Sequence, residues 1–253
     1  MEEYLKREEL DRALFDRIAL KYARKDLFAS ASVARRHRLA QTLRHVRIDH
    51  DMDILEVGCG AGFAAKYLRG QYRSYTGIDY STELIRYASA QNGGANVSFQ
   101  AISLYDYQPS RQFDLVLMIG VLHHMSDMPR AVAAMQSLLK PGGYLAVNEP
   151  QRSNGLIRGL RRARAALDPA YSDDQEELDP AQLAALFGQA GLTDVRTIPQ
   201  GLFSTPFAEV VLKPQFITAP LARLACAIDL AIEDRFAAAI AKSTWNVIVI
   251  GRK

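Results

Sequence analysis

The chain has 253 residues, 49% of them hydrophobic, and a formal net charge of +3. That length suits one large α/β domain with helical additions, and that apolar content builds a core without disulfides or structural metal. So small a charge does not point to nucleic acid; no uncharged apolar run of about 18 residues suggests a spanning helix; and Cys59 and Cys226, in unrelated settings, argue against a disulfide framework and for a reducing, cytoplasmic compartment.

Residues 1–47 read as a helical cap. The stretch from Met1 to Arg7 is charged and lacks the apolar core of a signal peptide. Leu10, Leu14, Ile18 and Tyr22 then recur at helical spacing on one face. A second helix is expected from about Ser32, a suitable N-cap, through Val33, His37, Ala40 and Leu43. Its Arg35-Arg36-His37-Arg38 run reads as a solvated basic face.

Residues 48–253 form the main domain. Ile54 to Val57 suits a short buried strand, and Gly58, Gly60 and Gly62 follow at alternate positions. Glycines let the backbone turn tightly and approach a ligand closely. The helix that begins at Phe63 adds free N–H groups that favour an anion. A dinucleotide fingerprint, G-x-G-x-x-G, fails because Phe63 holds its last position. A second strand runs from Ser74 to Ile78 and ends at Asp79, about 20 residues beyond the glycines, where parallel-sheet nucleotide sites place a ribose-binding carboxylate. Ser81 caps the next helix. Strands Val97 to Ala101 and Phe113 to Ile119 follow, the latter continuously apolar apart from Asp114, as in a central parallel strand. Gly120 and the stretch Val121 to Met125 come next. A helix capped by Asp127 with Pro129 in its first turn leads to Pro141-Gly142-Gly143, a fifth strand from Tyr144 to Asn148, and Glu149 at its carboxyl end.

Four of these segments occur in register: Glu56-Val57-Gly58-Cys59-Gly60-Ala61-Gly62, Gly77-Ile78-Asp79, Phe113 to Val116 running on to His123-His124, and Leu139 to Gly143. Together they resemble the motifs of the class I S-adenosylmethionine (SAM)-dependent methyltransferases. The resemblance implies a doubly wound, mostly parallel seven-stranded sheet of Rossmann-like type, with SAM as cofactor. It implies that Gly58, Cys59, Gly60 and Gly62 offer backbone N–H groups to the methionine carboxylate. Glu56 would hold the loop or the methionine ammonium, Asp79 the ribose hydroxyls, and Tyr80 the adenine face. Ser103 stands where relatives carry an acid to adenine, while Ile119 and Gly120 line the cofactor wall. Tyr22 either reaches the methionine end of SAM or packs between helices. Some relatives bind a metal through acids in the fourth-strand loop; here Gly120 and His123 stand in those positions, so no metal is expected.

Beyond strand five the resemblance fades. Gln151 to Tyr171 interleaves Arg152, Arg158, Arg161, Arg162 and Arg164 with apolar residues, a basic amphipathic helix. Strands Thr193 to Ile198 and Asn246 to Ile250 are expected to close the sheet as a hairpin. About forty residues lie between them, too many for a bare loop. Leu221, Leu224, Ile228, Ile232, Phe236 and Ile240 give that insertion an apolar stripe. Residues 151–178 and 202–243 therefore read as helical lids over a small or lipid-like acceptor, with peripheral membrane contact as a further role. A hydroxyl acceptor needs a base, for which His123 and His124 are candidates, with Glu149 next; packing beside the cofactor loop is the other reading of each histidine. The function expected is methyl transfer to a hydroxyl. The alternative is a catalytically silent SAM-binding protein that uses its helices to bind a partner.

Overall fold

A computed structural model describes residues 2–152, 155, 157, 159 and 178–253. Its sheet has seven strands: β1 Asp53–Val57, β2 Ser74–Asp79, β3 Val97–Ala101, β4 Phe113–Ile119, β5 Leu139–Pro150, β6 Thr193–Gln200 and β7 Asn246–Arg252. They lie in the order β3-β2-β1-β4-β5-β7-β6. The first five are mutually parallel, and β7 runs antiparallel to both β5 and β6. The strand order reverses beside β1, so the ends of β1 and β4 open a crevice at the carboxyl edge, where open α/β sheets bind ligands.

Because successive strand residues point to opposite faces, the central strands feed two cores at once. Leu55, Val57, Val116, Met118 and Val147 pack on one side with Val132, Met135 and Phe187. These last come from α5 (Met128–Ser137) and α6 (Pro180–Gln189). On the other side Ile54, Leu115, Leu117, Ala146 and Ile248 pack with Leu39 and Leu43 of α2 (Ala29–Leu43). Local chemistry starts the helices where side-chain acceptors stand. Asp127 accepts from the Arg130 N–H, Asp179 from Ala181, and Ser81 from Leu84 at the head of α4 (Thr82–Asn92).

The N-terminal helix α1 (Glu2–Ala23) lies over the crevice. Its Ala19 and Ala23 pack with Ala61, Phe63 and Leu84, bringing it against α3 (Phe63–Tyr67) and α4. Asp16 fastens it there, accepting from Ser81 Oγ at 2.6 Å and from the Glu83 N–H at 3.2 Å. Ser32 is not the cap of α2. That helix opens at Ala29, and the Ser32 N–H already donates to Phe28 O inside the first turn. The amide of Gln215 serves instead, its Oε1 accepting from the Ser30 N–H at 3.0 Å.

Gln215 begins α8 (Gln215–Arg235), the main element between β6 and β7, flanked by α7 (Thr205–Glu209) and α9 (Ala237–Ile240). The orientation of α8 shows which of its faces meets the protein. Its buried side is small and polar, with Ala219, Ala222, Ala225, Cys226, Asp229 and Glu233, and Cys226 meets Ala34 of α2. Leu221, Leu224 and Ile228 of the expected stripe face outward. Small residues let the two helices approach closely and displace the larger side chains to the outer surface. The basic helix expected across Gln151 to Tyr171 lies outside the described residues, apart from positions 151, 152, 155, 157 and 159.

Candidate active site

The chain leaves β1 through three glycines with positive φ. At Gly58 (φ +69°) a Cβ would lie 2.4 Å from Val121 Cγ2, and at Gly62 (φ +73°) 2.5 Å from Phe99 Cζ. No L side chain fits either place without displacing its neighbour, so the loop keeps bare backbone at the mouth of the crevice. The Gly58 and Cys59 N–H groups both donate to Ile78 O, which binds the loop to the end of β2. Asp79 completes this joint: its Oδ2 accepts from the Gly60 N–H and its Oδ1 from the Ser81 N–H, each at 2.9 Å. Burial pushes the Asp79 carboxyl up, and those two N–H groups pull against it. Glu56, near the end of β1, is buried within electrostatic reach of Arg35 and Asp79. It accepts from the Tyr75 hydroxyl at 2.6 Å, and burial pushes it up to about 8.

The opposite wall follows β4. Ile119 and Gly120 are half-buried, and Gly120 donates its N–H to Asn148 O. The next residues make a short 3-10 turn, Leu122–His124. Glu149 organises that turn. Its Oε1 accepts from the Val121 and Leu122 N–H groups at 2.9 and 2.8 Å, and its Oε2 lies 2.6 Å from His123 Nδ1. Burial alone would raise this carboxyl, but His123 and the two amides hold it below its ordinary range. Glu149, expected as a candidate base, is thus a wholly buried group whose oxygens are taken up by its own neighbours. His123 is also buried, whereas His124 is half-buried, its ring 4.2 Å from that of His123.

One unexpected residue joins several expected ones. The ring of Phe15 meets Tyr22, Tyr80 and His124 edge-on, at centroid distances of 6.1, 6.3 and 5.6 Å. Tyr22 stands beside the glycine loop, its Cε1 3.3 Å from where a Gly60 Cβ would be. It also packs with Ala19, Ala23 and Phe63. Ser103 is occupied locally: its hydroxyl accepts from the Tyr105 N–H at 3.3 Å.

Two arginines read as solvated belong to this site. Arg35 pairs with the buried Asp26, donates to the Tyr22 hydroxyl at 3.3 Å and lies over the rings of Tyr22 and Phe63. Arg38 pairs with Glu209 at 2.8 Å, and its Nη2 is 3.4 Å from the place a Gly120 Cβ would take. The signal in the sequence was their i, i+3 spacing on the face that carries Ala31 and Ala34, small residues that mark a docked side.

The sheet order, the glycine loop facing an acid at the end of β2, and the closing antiparallel strand place the chain among the class I SAM-dependent methyltransferases. A family model described as a methyltransferase domain matches residues 23–197, and the chain belongs to that family. Among curated relatives it is 31% identical over 147 residues to the ubiquinone biosynthesis O-methyltransferase of Thiobacillus denitrificans, covering 55% of this chain and 63% of that one. With the protein of the same name from Colwellia psychrerythraea it shares 32% over 151 residues, 56% of this chain and 61% of the other. The match thus spans less than two thirds of these relatives' length. Similar solved structures include a possible histamine N-methyltransferase from Thermotoga maritima (TM-score 0.64, 17% identity, 95% of this chain and 98% of the other). Another is the N-methyltransferase NodS of Bradyrhizobium japonicum with bound S-adenosyl-L-homocysteine (TM-score 0.53, 18% identity, 87% and 85%). At such identities these structures speak to the fold.

Proposed function

We propose that this methyltransferase alkylates a hydroxyl of an apolar acceptor drawn from a lipid surface. The observation that carries the reading is the buried His123–Glu149 pair beside the cofactor loop. A carboxylate on Nδ1 orients the imidazole, and histidine is the side chain whose basicity suits taking a hydroxyl proton near neutral pH. The names of the curated relatives, which are O-methyltransferases, support a hydroxyl acceptor. The outward apolar surface of α8, with Phe216 79% exposed and Ile217, Leu221, Leu224 and Ile228 beside it, supports a lipid one. In length and hydropathy α8 matches a membrane span. With Asp229 and Glu233 buried against the protein, it is better suited to lie on a membrane than to cross it.

In this reading the loop Gly58-Cys59-Gly60-Ala61-Gly62 lines the methionine part of SAM through the room its glycines leave, since the N–H groups of Gly58, Cys59, Gly60 and Gly62 are already donated to Ile78 O, Asp79 and Cys59 O. Asp79, with oxygen lone pairs beyond those used by Gly60 and Ser81, takes the ribose hydroxyls. Tyr80 lies along adenine, Ser103 flanks it, Ile119 and Gly120 form the wall, and Tyr22 and Phe15 close the mouth. Arg38, over Gly120, offers its charge to an anionic group such as the methionine carboxylate. Bound SAM supplies a sulfonium methyl, and the chain's task is to align the acceptor oxygen near about 3 Å from it, exclude water and remove one proton. Residues 1–47 act as the cap and residues 202–243 as the acceptor-side lid.

Radiolabelled SAM, incubated with the protein and a phenol bearing an isoprenoid tail, its tail-free analogue or an amine of equal size, tests this. Transfer to the tailed phenol, with a lower KM than for the tail-free one, is expected. Transfer to the amine alone, or indifference to the tail, would overturn it.

A further inference from the structure

Between α2 and α8, at the carboxyl side of the sheet, three metal-ligating side chains converge: His37, Asp229 and Glu233. One donor atom from each lies within 4.8 Å of the other two. Asp229 and Glu233 are four residues apart on one helix and so share a face, and His37 enters from the neighbouring helix. Much of this chemistry is structural. Asp229 Oδ2 accepts from the N–H groups of Leu202, Phe203 and Ser204, Oδ1 accepts from Phe203, and Glu233 Oε1 accepts from Gly201.

That ledger leaves a remainder. Glu233 is 1% exposed, yet its Oε2 has no hydrogen-bond partner, and neither has the buried Nε2 of His37. Buried polar atoms are almost always satisfied, and these two orphans belong to residues that each bring a ligating atom within 4.8 Å of the other's, which calls for a common partner. Ligating atoms of three residues within 4.8 Å of one another have the spacing of ligands on one ion, given bonds of about 2.0–2.2 Å to each. We propose that His37 Nε2, Asp229 Oδ1 and Glu233 Oε2 bind a single divalent transition-metal ion that clamps α8 to α2.

The donor set selects among ions. One imidazole with two carboxylates suits Zn2+, Mn2+ or Fe2+, whereas Ca2+ and Mg2+ prefer oxygen alone. Three protein donors leave a fourth tetrahedral position for water. The clamp would fix the turn at Gly201 to Ser204, whose amides Asp229 and Glu233 already hold, and so the start of the lid. It is separate from the His123–Glu149 pair and does not depend on the acceptor proposed above.

The full chain, stripped with chelator and desalted, is titrated with Zn2+ and with Co2+, whose visible absorption reports its ligands; Mg2+ is the comparison. One equivalent of Zn2+ or Co2+ is expected per chain, with a Tm that rises with Zn2+ and not with Mg2+. Glu233→Gln and His37→Gln should each weaken uptake by more than the about 10–100-fold that loss of an outer-shell partner costs, while His50→Gln, at an exposed histidine, changes nothing. Glu233→Gln keeps an acceptor for the Gly201 N–H; should it still misfold, His37→Gln carries the test alone, with SAM binding as the check of folding. Absence of stoichiometric uptake, or uptake retained in the His37→Gln/Glu233→Gln double variant, would overturn the proposal and leave a bridging water as the partner of the two orphans.

Discussion

His123 Nδ1 lies 2.6 Å from Glu149 Oε2, while Glu149 Oε1 holds the Val121 and Leu122 amides. One carboxylate therefore sets both the tautomer of the histidine and the shape of the turn that carries it. Glu149→Gln offers an N–H where an acceptor is needed, and should destabilise the chain by about 1–3 kcal/mol. In the same variant kcat should fall far more than the acceptor KM rises. Thermal melts and steady-state kinetics on one preparation check both. The pair also has a pH limit. With Glu149 held below its ordinary range, its stabilising contribution is present above that range and lost as pH falls through the depressed value.

His124 separates the two histidines. Its half-buried ring lies against Phe15, on the crevice side of the turn. With His123 as the base, His124→Ala should cost less than about tenfold in kcat, and His123→Ala about 10²–10⁴-fold. The reverse order in a single-turnover assay would assign the proton to His124.

Cofactor affinity is expected to depend on the joint between the glycine loop and β2. Asp79→Ala removes a charged acceptor, which corresponds to about 1.5–3 kcal/mol, or roughly ten- to hundred-fold in the Kd for SAM. Gly62→Ala forces a methyl group toward Phe99 in a left-handed backbone, costing about 1–3 kcal/mol of stability besides. Calorimetric titration with SAM, showing unaltered affinity in both variants, would refute the assignment.

Much of this was readable along the chain because it is local. The strands of the sheet, the three glycines, Asp79 at a strand end, and the Ser81 and Asp127 caps all follow from near neighbours in sequence. What escaped depends on docking. Arg35 and Arg38 resemble any charged run until α1, the 3-10 turn Arg24–Leu27 after it, and α7 bring Tyr22, Asp26 and Glu209 to them. Likewise, the apolar stripe of α8 did not tell which way the helix faces, because that is set by its neighbour α2, whose Ala34 meets Cys226. Glu149 resembled a free acid because the amides it holds lie 26 to 28 residues earlier.

Glu56 gives a pH signature. Burial raises its carboxyl from an ordinary 4.5 to about 8, so the folded chain holds that proton more tightly than the unfolded one. The linked stability is complete below about 4.5 and is lost as pH rises through about 8. Glu56→Gln keeps an acceptor for the Tyr75 hydroxyl and has nothing to titrate. Its Tm should therefore decline less than that of the wild type between about pH 6 and 9. Parallel Tm curves would show that Glu56 does not titrate there.

The outer face of α8 is open to direct test. Leu221→Glu together with Leu224→Glu changes two exposed positions and should leave the fold and SAM affinity intact. Full burial of a leucine contributes about 1.5–3 kcal/mol, so the pair should lower partitioning onto lipid vesicles more than tenfold. Sedimentation with vesicles reads this directly; equal partitioning of both proteins would remove the lipid surface from the scheme.

The attachment of Asp16 to Ser81 and Glu83 has a kinetic side. These residues begin two positions after Asp79, so α1 is moored next to the carboxylate proposed to hold the ribose. A newcomer to the crevice must wait for this mooring to slip, and once settled it steadies the anchor point from beneath. Arrival should then saturate: the observed association rate levels off at high SAM concentration, at the frequency with which α1 lets go. Asp16→Asn, with its weaker hold, should raise that plateau and shorten the residence time.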